Sequence, residues 1–516
     1  MTASSVAVAE THLSFLFFVG DRVYKLHKPL QFDFADFSER SARQADCRRE
    51  VALNRRLAPD VYLGVADVSE FGEFVDHLVV MRRLPADLQL AALARRGEDI
   101  GTHLVQLARI LVAFHERAIR APAIDEFARV SSILAGWEAN FAAMAPFVGP
   151  VIDADADALV QQRVRQFLAG RAPLFDERIA DGHVCDGHGD LEVEDIFCLP
   201  DGPRVLDCIS FDDRLRYGDV AADLAFLLMD LERIGATEAA ATLRVQYEEL
   251  SGRMLPSALL HHYIAARAYV RCKVACLRWA QQRSRPMERA RSDDLTEEGL
   301  EAVEEARLLH RMARDHLQRS RVRLVLVGGL PGTGKSTLAG GLADCLDADV
   351  LRSDEVRKEQ AGLPTDQPAP APYRSDLYAP ETTEATYGIL AQRATIALSL
   401  GRTVILDASW TDRHHREMVK DVAARTSSEF VELRCVVGDD LANARMATRR
   451  WRGGDPSDAT AAVAAAMASA ADPWPSASVV DTSGPSEASL RLALQLLGET
   501  DDTGDAGDPG VPLRWG

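Results

Sequence analysis

Residues 329–336 read Gly-Leu-Pro-Gly-Thr-Gly-Lys-Ser, which fills the spacing G-x-x-x-x-G-K-S/T completely. The motif constrains the fold because it works only where a buried strand ends and a helix begins. Leu324-Val325-Leu326-Val327 precedes it as an apolar run, and Thr337-Leu338-Ala339 follows as the start of a helical pattern. Gly329, Gly332 and Gly334 let successive backbone N–H groups turn inward around phosphate oxygens, and the helix N-terminus adds partial positive charge. Leu330, Pro331, Thr333 and Thr337 complete the cradle. Lys335 reaches the terminal phosphates, and the Ser336 hydroxyl is offered to Mg²⁺. The expected ligand is a nucleoside triphosphate, ATP with Mg²⁺.

A chain of 516 residues exceeds one ordinary core, so two or three domains are expected. Its apolar content of 47% and charged content of 27% are those of a globular protein. The net charge is −19, and residues 321–516 hold 20 basic against 28 acidic side chains. Neither half is basic, which speaks against nucleic acid as a partner held by long-range attraction. No stretch reaches the roughly eighteen apolar residues of a membrane span, so no membrane partner is expected. The run Leu13-Ser14-Phe15-Leu16-Phe17-Phe18-Val19 is short and lacks a basic leader, and it reads as a strand. Eight cysteines contain no C-x-x-C pair. Cys272 and Cys276 share a helix face without companion ligands and read as free thiols. A cytoplasmic location is expected.

Residues 13–83 are strand-rich around one charged helical stretch at 41–57. Helical spacing dominates from about 100 to 180; a hairpin around Pro200-Asp201-Gly202-Pro203 and then long helices follow, to about residue 320. The last helix, near 296–319, places Val303, Ala306, Leu309, Ala313 and Leu317 on one face. Beyond it, strand candidates at 323–328, 349–352, 403–407, 431–437 and 477–481 alternate with helices, predicting a parallel sheet covered on both faces. The expected domains are 1–285, a helical connector at 286–320, a nucleotide-binding domain at 321–498 and a disordered acidic tail at 499–516. Residues 361–380 form a proline-rich loop of functional length.

A helix starting near Ser353 sets Asp354 and Arg357 three apart on one face. A carboxylate there can accept the proton of an attacking hydroxyl, and an arginine can neutralise charge on the transferring group. Asp407 ends the run Thr403-Val404-Ile405-Leu406 at a strand's carboxyl edge, where open α/β sheets bind ligands. It is a candidate Mg²⁺ or substrate contact. Arg445 and Arg449 share a helical face before Gly453-Gly454, the pattern of a lid that delivers a guanidinium, and Arg449 is taken as the candidate. The pairs His261-His262 and His414-His415 lack metal-ligand spacing and read as surface or packing residues. With 329–336, Asp354-x-x-Arg357 and the arginine-rich segment before Ser457-Asp458, the stretch 320–500 resembles the small P-loop kinases. That resemblance implies transfer of the ATP γ-phosphate to a hydroxyl, with Asp354 as general base.

Residues 188–195 read His-Gly-Asp-Leu-Glu-Val-Glu-Asp, and 205–208 read Val-Leu-Asp-Cys. Counting outward from the Asp201-Gly202 turn sets Asp195 opposite Asp207 or Cys208, give or take one residue. Asp190, Asp195 and Asp207 would then converge, able to orient a hydroxyl and hold Mg²⁺ on a triphosphate. Residues 10–280 resemble the aminoglycoside-phosphotransferase and protein-kinase-like fold. Carried over, Asp190 is the base, Asp195 and Asp207 are metal ligands, and Lys25 pairs phosphate with Glu50 as its helix partner. Met81-Arg82-Arg83-Leu84 is the adenine hinge. Asp195 stands where that family has Asn, and Glu192 where it commonly has His. The order of the two parts resembles bacterial bifunctional aminoglycoside phosphotransferase/ATP-binding proteins.

These readings predict an Mg²⁺-dependent ATP phosphotransferase acting on a small-molecule hydroxyl, plausibly of a sugar. The N-terminal half is a second kinase or a nucleotide-binding regulator. An ATP-dependent switch acting on a protein partner and a polynucleotide 5′-kinase are the alternatives. Acceptor contacts are expected in 361–380 and around Trp410 to Arg416. Oligomeric state is not legible.

Overall fold

The protein is described from a computed structural model, which covers residues 6–11, 13–32, 35–284, 297–364, 379–452 and 460–499. Most of the proline-rich loop, the glycine turn at 453–458 and the acidic tail from 500 onward lie outside the described residues. The chain divides into two compact units, Met1–Ser320 and Arg321–Gly516. The helix Glu297–Arg319 falls within the first unit, where it packs along Ser257–Ser284. Its buried stripe is Ala302, Ala306, Leu309, Ala313 and Leu317; Val303 is only half-buried, so the stripe begins one residue earlier than its spacing predicts. No helix among the described residues is long and apolar enough to cross a membrane.

The first unit opens with a five-stranded antiparallel sheet, in spatial order Ala7–Glu10, Ser14–Val19, Arg22–His27, Glu73–Arg82, Tyr62–Glu70. β-branched and aromatic residues dominate these strands, as a pleated half-buried surface requires. The helix Arg40–Asn54 lies on the sheet, where Cys47 and Val51 close a small core with Ala58, Val61, Tyr62 and Val79. Helices make up most of the remainder, and between them the hairpin Ile196–Leu199 with Gly202–Val205 projects a loop on each side. Its register pairs Val205 with Ile196, and the Leu206 N–H donates to the Asp195 carbonyl. Asp195 therefore faces Leu206, at the near limit of the register expected around Asp207 and Cys208. The physical reason is that Gly202 belongs to the strand, so the turn is the tight pair Pro200-Asp201.

The second unit is a five-stranded parallel sheet, ordered Asp349–Arg352, Val404–Asp407, Arg323–Gly328, Glu429–Val436, Ser478–Asp481. Numbered along the chain this is 2-3-1-4-5, so the first strand is central and fully buried. Val325, Val327, Ile405 and Leu433 pack under the helices Lys335–Leu346 and Ser486–Leu496 through Leu338, Leu342 and Ala493. The opposite face is covered by Leu390, Ala394 and Leu398 of the helix Pro380–Ser399. Ligands in such sheets bind beyond the carboxyl ends of the strands, where the order reverses. Here that position lies past Gly328.

In the first unit the backbone at His188 and Gly189 hangs on one buried side chain. Asp223 accepts hydrogen bonds from the backbone N–H of His188 (2.6 Å) and Gly189 (2.8 Å), and approaches His115 Nε2 at 3.4 Å. Removing a buried carboxylate strands its donors. Asp223→Ala should therefore destabilise the first unit by about 3–5 kcal/mol, read as a lower denaturant midpoint for that unit's transition.

Candidate functional site

The loop after the central strand has the backbone its composition demands. Gly329 sits at φ 144°, where a Cβ would lie 2.6 Å from Thr333 Oγ1 and 2.7 Å from the Cys435 carbonyl. Gly332, at φ 85°, is covered by the helix Asp439–Arg452 so closely that a Cβ would meet the Ala442 carbonyl at 2.6 Å. Thr333 braces the loop by donating to the Leu330 carbonyl (2.8 Å), and Thr482 Oγ1 donates to the Thr333 carbonyl (2.6 Å). The helix begins at Lys335 with Gly334 as its cap, so Lys335, Ser336 and Thr337 occupy its first turn. Leu330 and Pro331 form the outer bend.

Two carboxylates bear on this loop in different settings. Asp407, at the end of its strand, is buried, and its Oδ1 has no hydrogen-bond partner. Burial pushes its pKa up; Lys335 and Ser336 partly offset this, while Asp354 adds to it. Asp354 lies in the first turn of the helix Ser353–Gln360 and keeps partial access to solvent. Arg357 Nη1 donates to its Oδ1 at 2.9 Å. Asp354, Arg357, Asp407, Lys335 and Ser336 thus stand at one sheet edge.

The arginine helix adds a residue the spacing did not single out. Arg449 stands in Asp439–Arg452, but its side chain lies outside the described residues. Arg445, one turn earlier, donates from Nη2 to the Thr482 carbonyl at 2.7 Å, and its buried Nη1 has no hydrogen-bond partner. A Cβ on Gly334 would lie 3.5 Å from that Nη1. The i, i+4 pairing of Arg445 with Arg449 was the available signal. Trp410 and Arg416, which bound a stretch where acceptor contacts are expected, are themselves packing residues. Trp410 is 1% exposed and donates to the Leu406 carbonyl, while Arg416 donates to the carbonyls of Trp410 and Pro473. An apolar indole and a guanidinium matched to carbonyls close the wall beneath the loop. His415 stacks on Tyr387 with ring centroids 4.0 Å apart.

In the first unit Lys25 Nζ lies 2.9 Å from Glu50 Oε1 and 2.9 Å from Asp207 Oδ1. Burial works against the ammonium charge, but Asp207 and Glu50 outweigh it and hold the pKa well above the ordinary lysine value. Lys25 in turn holds Asp207 below the usual carboxylate range. Asp207 sits at φ 62°, a left-handed conformation costly for a non-glycine residue. Its N–H donates to the Tyr62 hydroxyl (3.2 Å), and the next N–H, of Cys208, to Asn54 Oδ1 (2.9 Å). These two partners carry no sequence signal of their own.

Asp190, Glu192, Asp195 and Asp207 influence one another's titration. Burial pushes Asp190 up to about 6, with Arg271 and Arg267 opposing. It pushes Glu192 up to about 8, although Glu192 is ion-paired with Arg271. Asp195 is raised well above its usual value by burial and then by Asp207. The cluster offers oxygen donors suited to a hard cation. Among the described residues, however, no three of them bring ligand atoms within 4.8 Å of one another, as His27, Asp46 and Glu50 do.

The Asp190 shift makes a stability claim with a definite sign. Its folded pKa of about 6 exceeds the ordinary 3.8, so the folded state holds the proton more tightly. The carboxyl's cost is absent below about pH 4, grows as pH rises through that window, and is complete above about pH 6. Asp190→Asn should therefore stabilise the first unit at pH 8 by about 1–3 kcal/mol, with no gain at pH 4. Denaturation midpoints at the two pH values would check this.

Comparison with known proteins adds lineage. The family model described as an AAA domain matches residues 324–474. Among solved structures, the GDP complex of aminoglycoside 2′-phosphotransferase-IIIa is 18% identical, covering 58% of this chain and 92% of that one, with a TM-score of 0.36. A sugar kinase from Janibacter sp. HTCC2649 is 20% identical over 34% of this chain and 95% of its own, at a TM-score of 0.27. Uncharacterized protein Rv2004c of Mycobacterium tuberculosis strain H37Rv and its Mycobacterium bovis counterpart Mb2027c are each 37% identical over 492 residues, 95% of both chains. Identity at that level over nearly the whole of both chains means that this protein belongs to the family of the mycobacterial protein Rv2004c.

Proposed function

We propose that the chain is an ATP-dependent phosphotransferase whose second unit moves the γ-phosphoryl group of MgATP to a hydroxyl of a small, sugar-like molecule. The observation that carries this reading is the pairing of a phosphate-binding loop with two unlike carboxylates. Asp407 is buried beside Lys335 and Ser336, while Asp354 keeps access to solvent and is oriented by Arg357. A cradle for phosphate needs no second carboxylate of this kind; a base for an attacking hydroxyl does.

The donors around Asp407 fit Mg²⁺, since a buried carboxylate oxygen without a partner stands near a serine hydroxyl. When bound, the ion neutralises charge on the β- and γ-phosphate oxygens. Asp354 takes the proton of the acceptor hydroxyl as its oxygen bonds to the γ-phosphorus. The bond to the bridging oxygen breaks and its electron pair leaves with ADP. Lys335, the loop N–H groups and Arg445 stabilise the phosphoryl oxygens, and Arg357 keeps the base in line. Arg449 is proposed to close over the phosphates from the same helix face as Arg445.

The first unit is proposed as a second kinase, with Asp190 as base, Lys25 on the phosphates, and Asp195 and Asp207 as oxygen ligands. A net charge of −19 favours small acceptors over nucleic acid throughout.

Lys335→Ala should abolish most ATP consumption, and unchanged turnover in that variant would move the main reaction elsewhere. Asp354→Asn should lower kcat about 10²–10⁴-fold with the ATP KM altered little, as read with an acceptor found in a metabolite screen. Hydrolysis indifferent to every added metabolite would favour a nucleotide-driven switch.

A further inference from the structure

A cavity of about 210 Å³ lies in the first unit, between the helices Val130–Met144 and Ser257–Ser284 and the strand Tyr217–Asp219. Phe127, Trp137, Tyr217 and Tyr263 line it, with Asn140 and Arg267 as polar groups. The volume is that of about seven water molecules, the size of a monosaccharide.

Its wall carries two carboxylates, Asp219 and Asp223, and two guanidiniums, Arg216 and Arg267. The carboxylates on its wall are already used: Asp223 holds the N–H groups of His188 and Gly189, and Asp219 holds Arg178 in a two-pronged pair. Arg216 is likewise matched, to Asp186 and Asp213. Arg267 differs. Among the described residues its guanidinium has no hydrogen-bond or ion-pair partner, and it rests against the Phe226 ring at 5.0 Å. Burial depresses its pKa, and Asp223 and Asp190 act on it only electrostatically. Lys273, two turns along the same helix, donates to Asn140 Oδ1 at 2.6 Å, so more positive charge stands behind the cavity wall. Arg271, one turn from Arg267, faces Asp190 as well.

We infer that this cavity binds a small polyhydroxylated anion, with Arg267 as counter-charge and the aromatic rings against its carbon skeleton. Arg267 is half-buried, and a guanidinium without a partner is paired most readily by a carboxylate or phosphate, while aromatic faces suit the C–H surface of a sugar ring. A polycationic amino sugar would meet a guanidinium that makes no hydrogen bond among the described residues, while both wall carboxylates are already engaged. Naming the ligand a phosphate acceptor for Asp190 rests on the kinase reading of the first unit; the binding does not.

Calorimetry on the full chain with D-gluconate, glucose 6-phosphate, glucose and glucosamine tests this. At least one of the two anions should bind ten-fold or more tightly than glucose and glucosamine, and the stronger of them identifies the carboxylate or the phosphate as the recognised group. Arg267→Met should weaken that binding at least ten-fold, and Arg267→Lys less, each with an unchanged circular-dichroism spectrum. Binding of neutral or cationic sugar as tight as the anions, affinity indifferent to Arg267, or no binding by any of the four would overturn the inference. Loss of ATP turnover in Lys335→Ala is read separately, so either reading can fail without the other.

Discussion

The second unit depends on a backbone that must turn its amides toward a polyanion and stay turned without one. Three glycines at positive φ make the turn possible, but they do not hold it. Rigidity comes from the Thr333 and Thr482 hydroxyls, which tie the loop to itself and to the end of the last strand, and from the Ala442 carbonyl pressed against Gly332. The central strand behind it is fully buried, so the loop's origin cannot shift. Donors fixed in advance need no reorganisation when charge arrives, and this is where most electrostatic stabilisation in phosphoryl transfer originates.

The first unit meets the same need by a different means. On the kinase reading proposed for it, a side chain would face the phosphates, Lys25, which is held between Glu50 and Asp207 at 2.9 Å each. That solution accumulates carboxylates. Asp190, Glu192 and Asp195 all sit above their ordinary pKa values because burial and mutual repulsion disfavour their charges. The proposed kinase reading would place a cation and a triphosphate at this conflict, the pattern of local stability given up for chemistry. On the far side of Asp190 the balance inverts, and Arg267 and Arg271 supply positive charge.

Residues whose role follows from local spacing were legible. The loop at 329–336, the strands at 323–328 and 349–352, the strand expected at 403–407 and found at Val404–Asp407, and the contact between Asp354 and Arg357 all come from contiguous patterns. Trp410 and Arg416 show the limit. A tryptophan and an arginine after a strand look like substrate contacts, yet both close a packing wall, because nothing local tells an indole whether its neighbours are solvent or Leu406. The hairpin register falls at the edge of its expected range, because the two-residue turn is Pro200-Asp201 and Gly202 already pairs with Leu199.

By itself the chain's order of residues determined two nucleotide-type motifs, a parallel sheet in the second unit, and the pairs whose members lie three or four residues apart. Tertiary structure decided the partnerships that span more than a hundred residues: Lys25 with Asp207, Asn54 with Cys208, Thr482 with Thr333. It also decided which charges go unmatched, and so that Arg267 faces a cavity while Arg216 does not stand free. Spacing encodes only neighbours along one helix or strand; whether a charge finds its counterpart depends on which elements the core draws together.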